Sequence, residues 1–349
     1  MKRIALVYPS TRGGVKSAML RLSKGLKLEG FNVDLLPLGN RMPSMIARDL
    51  AMIELLTSYD TVLYLGSIPW PSHIFLENVG VFIHGLVHYE LLNAIKHGPL
   101  RTKLRATTLS LLWSISKVLD EVKFFVCRSV TACEMNNLSW NKTVILPQFV
   151  LQDEIVAALD MRKQFKTGGS DKVRILTYTS SVESPRLLSV EDIARLVKVV
   201  ARRTNKKLEL IIVNPAITTY QIKHLSNLTI MQVKFMPKHL FLKTLASSDL
   251  YIERCIDEEL GNTSIEAGLL GTPIARITHS KYIPRQDYGE DTMILAKSVR
   301  EFIDKLIEYI NNMEYYREYY SKRMWNFITT KRVWDAVKHD LIRRLRDAE

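Results

Sequence analysis

Residues 248–275 read SDLYIERCIDEELGNTSIEAGLLGTPIA, and the order of signals along them decides the fold. Leu250–Ile252 is a short apolar run of strand length, and an acidic loop with Asp257, Glu258 and Glu259 follows and closes at Gly261. Ser264–Leu270 then has the character of a helix carrying Glu266, Gly271 supplies its stop, and Pro273–Ile277 is a second strand-length run. A helix between two strands brings the chain back in the same direction, so the two strands are expected to lie parallel in one sheet.

The same alternation runs outward in both directions. Upstream, Val173–Tyr178, Leu208–Val213 and Thr229–Val233 read as strands, with helices over Val190–Thr204 and Pro237–Ser247; downstream, Met293–Leu295 is a last strand before a helical tail rich in Tyr and Arg. The first part of the chain repeats the pattern with strands at Ile4–Tyr8, Val33–Leu36, Thr61–Leu65, Val79–Ile83, Phe124–Cys127 and Thr143–Leu146. These runs are short, β-branched and not strictly alternating, as strands covered on both faces are. Between them, Arg162 to Lys172 (RKQFKTGGSDK) lacks periodicity and reads as part of a linker. The expected organisation is α/β: an N-terminal Rossmann-like domain over residues 1–150, a linker over 151–172, a C-terminal Rossmann-like domain over 173–320, and a final helical segment, 321–349, packing back on the first domain.

Composition narrows the class. With 47% hydrophobic and 24% charged residues among 349, the chain is an ordinary globular protein, neither disordered nor fibrous. Cys127, Cys133 and Cys255 form no CxxC pair and no Cys/His cluster, which argues against a disulfide scaffold or a structural zinc site and makes a reducing, cytoplasmic compartment the expectation. The apolar run at Ile4 to Tyr8 ends at Pro9 and is too short for a signal peptide, and no stretch reaches the roughly 18 apolar residues of a membrane span. The net charge of +13 is spread over both halves, 17 Lys+Arg against 10 Asp+Glu in residues 1–150 and 32 against 26 in 151–349, so charge alone selects no partner. No RRM, KH, helix-turn-helix or finger signature accompanies it, and nucleic acid is not expected as a partner.

Several local patterns carry chemistry. Gly13 and Gly14 open the first helix after a strand, where close backbone approach and helix N–H groups favour an anion such as phosphate; a plain tight turn explains them equally well. The turn is neither GxGxxG nor a P-loop. Thr263-Ser-Ile-Glu266 also reads as a capping box, in which Glu266 would only satisfy the start of its helix. No Asp-x-Asp occurs, which disfavours a metal-bridged diphosphate. Residues 96–117 hold Lys96, Arg101, Lys103, Arg105 and Lys117 with no acid, beside Leu100, Leu104, Leu109, Leu111, Leu112 and Trp113. That combination suits an anionic membrane surface, and equally a core helix with a solvated basic end.

Residues 248–275 resemble the signature of the retaining glycosyltransferases of the two-Rossmann-domain GT-B fold, specifically the family 4 group (glycosyl transferases group 1). Glu258 and Glu266, separated by seven residues before a small-residue helix and Gly271-Thr-Pro273, match that group's pair of glutamates. The flank Leu245-Ala-Ser-Ser-Asp-Leu-Tyr-Ile252 is similar as well. So are the opening Ile4-Ala-Leu-Val-Tyr8 with Gly13-Gly14-Val15, Val81-Phe-Ile-His84-Gly, Phe125-Val-Cys-Arg-Ser129 with Thr143-Val-Ile-Leu-Pro147, and Val333-Trp-Asp-Ala-Val337. The resemblance covers nearly the whole chain. It implies two parallel-sheet domains facing across a cleft, and metal-independent transfer of a sugar from a UDP- or GDP-sugar type donor to an acceptor, with retention at the anomeric carbon. No cofactor beyond that co-substrate is implied.

By the same resemblance, Glu266 bonds the ribose hydroxyls, Glu258 sits against the donor sugar, and backbone N–H groups from Gly261 through Asn262 to Thr263 meet the donor. His84 corresponds to the group's active-site histidine, and Gly13 and Gly14 to its phosphate or acceptor loop. Glu259 competes with Glu258 through a one-residue slip; His84 also reads as a buried strand-end histidine, with His88 as a rival. One departure stands out: Ser180 occupies the place of the group's usual arginine, and Arg186 or Lys234 would have to compensate toward the diphosphate. An epimerase or phosphorylase of the same architecture, or a non-catalytic nucleotide-sugar binder, are the alternatives. The acceptor (glycan, lipid-linked or protein) is not readable.

Overall fold

The computed structural model describes residues 1–9, 14–39, 42–65, 71–83, 122–136, 138–165, 172–179, 188–214, 220–234, 236–254, 260–278 and 291–347, with 95, 100, 103–104, 106–108 and 110–111. The chain divides into two compact units, Met1–Pro147 together with Trp334–Glu349, and Gln148–Val333.

The first unit is built on a six-stranded sheet of β1 (Arg3–Tyr8), β2 (Asn32–Pro37), β3 (Thr61–Leu65), β4 (Val79–Ile83), β5 (Val122–Cys127) and β6 (Thr143–Ile145), in the order β2-β1-β3-β4-β5-β6. Every pairing is parallel. All residues of β3 and β4 are buried, which is why these runs are continuous and apolar and do not alternate. Helix α1 (Gly14–Leu28) makes the first crossover, with Met19, Leu22 and Leu26 fully buried along one stripe. Helices α2 (Met42–Ala51), α3 (Ile53–Leu56) and α4 (Val130–Met135) follow, the last capped by Ser129, whose Oγ accepts from the Ala132 N–H at 3.1 Å.

In the second unit, α5 (Gln152–Gln164), β7 (Lys172–Tyr178), α6 (Val190–Arg203), β8 (Lys207–Val213), β9 (Gln221–Leu225), β10 (Leu228–Val233), α7 (Lys238–Ala246), β11 (Leu250–Glu253), α8 (Asn262–Leu270), β12 (Ile274–Ile277), β13 (Ile294–Ala296), α9 (Val299–Asn311) and α10 (Met313–Lys331) follow in sequence. Its sheet has the order β13-β12-β11-β7-β8-β10-β9. All pairings are parallel except β9 with β10. The antiparallel β9 was not expected from the sequence. It is an exposed edge strand without an apolar run, joined to β10 by a tight turn at Ser226, and the charge of Lys223 disfavours further pairing along it. Residues 152–164, assigned from the sequence to the linker, form α5; its Ile155 and Ala158 are buried among Leu269, Leu270 and Ile328. Gly271 takes φ +75° just after α8, the left-handed conformation that ends a helix and that the sequence marked with glycine.

The tail of the chain completes the first unit. Helices α11 (Trp334–Val337) and α12 (His339–Asp347) belong to it, with Leu341, Ile342 and Leu345 buried. Trp334 lies over Gly25 of α1 so closely that a Cβ there would stand 2.8 Å from the indole. Its Nε1 donates to Glu29 at 3.2 Å, and Lys338 donates to the same carboxylate at 2.7 Å. Gly25→Val is therefore expected to destabilise the protein by about 1–3 kcal/mol through overpacking, and Trp334→Ala by about 3–5 kcal/mol, both read by urea unfolding.

Candidate active site

The second sheet fixes where a ligand can enter. From β7 the chain moves one way through β8 and β10, then returns to place β11 on the other side of β7. The direction of winding reverses between β7 and β11, and the crevice outside the carboxyl ends of strands at such a switch point is where open α/β sheets bind ligands. Tyr178 and Thr179 stand at the end of β7, Glu253 and Arg254 at the end of β11, and α8 begins beside them.

The strand ends are tied together by side chains. Thr177 Oγ1 donates to the Ile252 carbonyl at 3.0 Å, and the Thr179 N–H to the Val213 carbonyl at 2.9 Å. Arg254 is buried; its Nε donates to the Leu188 carbonyl at 2.6 Å and its Nη1 to Thr179 Oγ1. The buried Glu253 carboxylate accepts from Ser264 Oγ of α8 at 2.5 Å, and the Tyr251 hydroxyl is bonded with the Thr263 side chain. Strand β11 and the first turn of α8 are thus held in a single polar unit.

Gly261, Asn262 and Thr263 form the start of α8. Gly261 is the N-cap in extended conformation, and its carbonyl accepts from the Ile265 N–H at 3.1 Å. This corrects the capping-box reading: Thr263 is the second residue inside the helix, so it cannot cap it in partnership with Glu266. First-turn amides have no intrahelical acceptor, and this end of the helix carries partial positive charge suited to an anion.

Glu266 lies one turn further in and is only 7% exposed. Its Oε1 pairs with Nζ of Lys238, the first residue of α7, and Lys238 stands 5.9 Å above the Phe241 ring. Phe241 meets Tyr178 edge to face at 5.6 Å. Burial, with the neighbouring Glu266 charge, pushes the Tyr178 phenol up, so it stays neutral. The structure therefore pairs Glu266 with Lys238 and brings its charge near Tyr178, neither of which the sequence reading singled out.

Glu258, Glu259, His84, His88, Ser180, Arg186 and Gly13 lie outside the described residues. Gly14 is the first residue of α1, and Ile83, directly before His84, ends β4. Lys234 follows β10 and is exposed. In the first unit, an unforeseen polar cluster lies where β3 ends: Asp49 accepts from Tyr64 Oη at 3.0 Å, Ser72 N at 2.8 Å and Ser72 Oγ at 2.7 Å. Burial raises the Asp49 carboxyl, and these bonds act against that rise. Among the described residues no group of three or more His, Cys, Asp or Glu could hold a metal ion, and no helix is long and apolar enough to cross a membrane.

No protein-family profile matches the sequence, and no curated protein does either. Solved structures do match along the full length. Sucrose-phosphate synthase from Thermosynechococcus elongatus superposes with a TM-score of 0.67 at 13% identity, covering 100% of both chains. HepE from Anabaena, solved with UDP and glucose, gives 0.65 at 10% identity, covering 99% of this chain and 100% of its own. WaaG, a glycosyltransferase involved in lipopolysaccharide biosynthesis, gives 0.67 at 13% identity and 98% of each chain. With two parallel-sheet α/β units and superposition on these structures along its whole length, the chain has the GT-B fold.

Proposed function

We propose that the protein is a retaining, metal-independent glycosyltransferase of the family 4 type, moving a hexose from a UDP- or GDP-sugar to an acceptor. The observation that carries this reading is the buried Glu266 on α8, paired with Lys238 beside the switch point of a GT-B fold. Solved neighbours hold UDP, which makes a nucleoside diphosphate the natural occupant. In this reading Glu266 takes the ribose diol, and Lys238 holds the carboxylate in place. The start of α8 meets the diphosphate, whose charge grows as the anomeric C–O bond breaks. Glu258 faces the donor sugar, and His84 and the Gly13-Gly14 turn serve the acceptor side in the first unit. Retention means that the acceptor oxygen takes the face from which the diphosphate leaves.

Ser180 supports a second reading, a non-catalytic nucleotide-sugar binder, because the resemblance leads one to expect arginine there. A panel of UDP- and GDP-sugars separates the two: turnover of any donor supports the transferase, whereas tight nucleoside diphosphate binding without turnover supports the binder. Glu266→Ala is expected to weaken UDP or GDP binding about tenfold or more, the loss of charged hydrogen bonds to a diol, and Lys238→Met to weaken it less. Unchanged affinity with a lower melting temperature would leave Glu266 a purely structural role. Glu258→Gln should depress turnover far more than stability.

We also propose a cytoplasmic protein that attaches to an anionic membrane surface through residues 96–117. Leu100, Leu104 and Leu111, which share one face at helical spacing, are more than 60% exposed, whereas Ala106 is buried. Together with the acid-free basic residues of this stretch, they fit the boundary of an anionic bilayer. Vesicles containing phosphatidylglycerol should sediment the protein and phosphatidylcholine vesicles should not. Serine at the three leucine positions should abolish the difference.

A further inference from the structure

The second unit holds a cavity of about 490 Å³ at the end of the sheet opposite the switch point. Ala246 ends α7 just before β11, and Gly271 follows α8 just before β12, so the cavity opens at the amino ends of these strands. Arg162 of α5 and the following Phe165 line one side, and Ser321, Lys322 and Trp325 of α10 line another. Arg162 decides the chemistry. Its guanidinium lies 4.9 Å above the Trp325 ring and directly against Gly271, where a Cβ would stand 2.8 Å from Nε. Burial works against its charge and lowers its pKa, and among the described residues it makes no ion pair and no hydrogen bond that would offset this. The carboxyl ends of α7 and α8 favour a cation in this place, but the Gly271 carbonyl accepts from Ser321 Oγ at 2.6 Å, not from Arg162. Arg317, which also lines the cavity, is by contrast neutralised by Asp249 at 3.0 Å. At the exposed rim, two acids, Glu314 and Glu318, stand against Lys322 and oppose a doubly charged anion.

We propose that this cavity is a second binding site, one for a small carboxylic acid with an apolar body. The carboxylate takes the paired N–H groups along the edge of the Arg162 guanidinium, in the fork geometry that the two groups share. The body lies against Phe165, Ala246 and Leu270, in a space of the size that small-molecule sites have. The acid joins α5 and α10, the first and last helices of the second unit, so its binding stabilises that unit. The site shares none of the described residues of the switch-point crevice, and it stands whether or not the donor reading holds.

The test is calorimetric titration of phenylpropionate into the wild type, Arg162→Gln and Arg162→Lys, with phenylpropionamide, acetate, glucuronate and inorganic phosphate as comparisons. Phenylpropionate should bind at a single site and raise Tm, and each of the other four should bind about tenfold or more weakly. Arg162→Gln is expected to cut phenylpropionate affinity about tenfold or more, and Arg162→Lys, which keeps the charge without the fork, about threefold. Saturating UDP or GDP should leave that affinity unchanged. No binding of phenylpropionate to the wild type, equal affinity for the amide, or no loss in Arg162→Gln overturns the inference. Equal affinity for acetate or glucuronate overturns the apolar body, and equal affinity for phosphate overturns the carboxylate. Competition by UDP or GDP places the acid in the donor crevice and overturns the second site, whereas a wild type that binds neither nucleotide overturns the donor reading alone. Should Arg162→Gln fail to fold, Arg162→Lys decides, and unchanged affinity in it overturns the inference.

Discussion

The pairing of β11 with β7 is the constraint on which the second unit depends. Leu250 lies opposite Ile175 and Tyr251 opposite Leu176, and the pairing places a late strand beside the first strand of the sheet. Had the chain continued outward from β10, the strand ends would have been closed by successive crossovers on one side. Because it returns, the crossovers diverge from β7 and β11 and leave room between them. Thr177 and Thr179 are bonded to Ile252 and Arg254 between the two strand ends, and Ser264 bonds Glu253, so the surroundings of the switch point are polar.

Buried charge is distributed with care through both units. A carboxylate taken out of water is costly unless hydrogen bonds or a cation replace the lost hydration. Asp249 accepts from the Arg174 N–H at 2.8 Å and from Arg317 at 3.0 Å, though burial still raises its carboxyl. Glu253 is held by Ser264, Glu266 by Lys238. The last pair differs in kind, because Lys238 is more than half exposed while Glu266 is not. A partner that reaches in from solvent can be exchanged for a ligand hydroxyl more readily than a buried one.

The strands were legible because each is a contiguous apolar run whose burial on both faces leaves its mark residue by residue. Glu266 and the start of α8 were legible for a related reason: their spacing lies within one short segment. What the sequence hid was non-local. Lys238 and Glu266 are 28 residues apart, and Arg254 and Thr179 are 75 apart, so no local pattern announces either contact. Arg254 stood inside the stretch quoted first, between a strand and an acidic loop, where nothing local marks it as buried. Edge strand β9 escaped because an exposed strand needs no apolar pattern, and α5 because its few buried residues, Ile155 and Ala158, form too sparse a stripe. The Asp49 cluster joins a helix, a strand and a following turn, and its members are ordinary residues until the fold brings them together.

The chain leaves the first unit after Pro147 and re-enters it at Trp334. Within the second unit the two ends are neighbours, since the Val150 N–H donates to the Arg332 carbonyl at 2.8 Å and Val150 bridges to Val333. In folding terms the second unit is a closed loop inserted in the first. As the polypeptide emerges from the ribosome, the unit begun first cannot seat Trp334 over Gly25 or bury Leu341 and Leu345 until residues 334–345 are made, after the whole of the second unit. The half begun second has its full sequence earlier, so order of synthesis and order of completion are reversed.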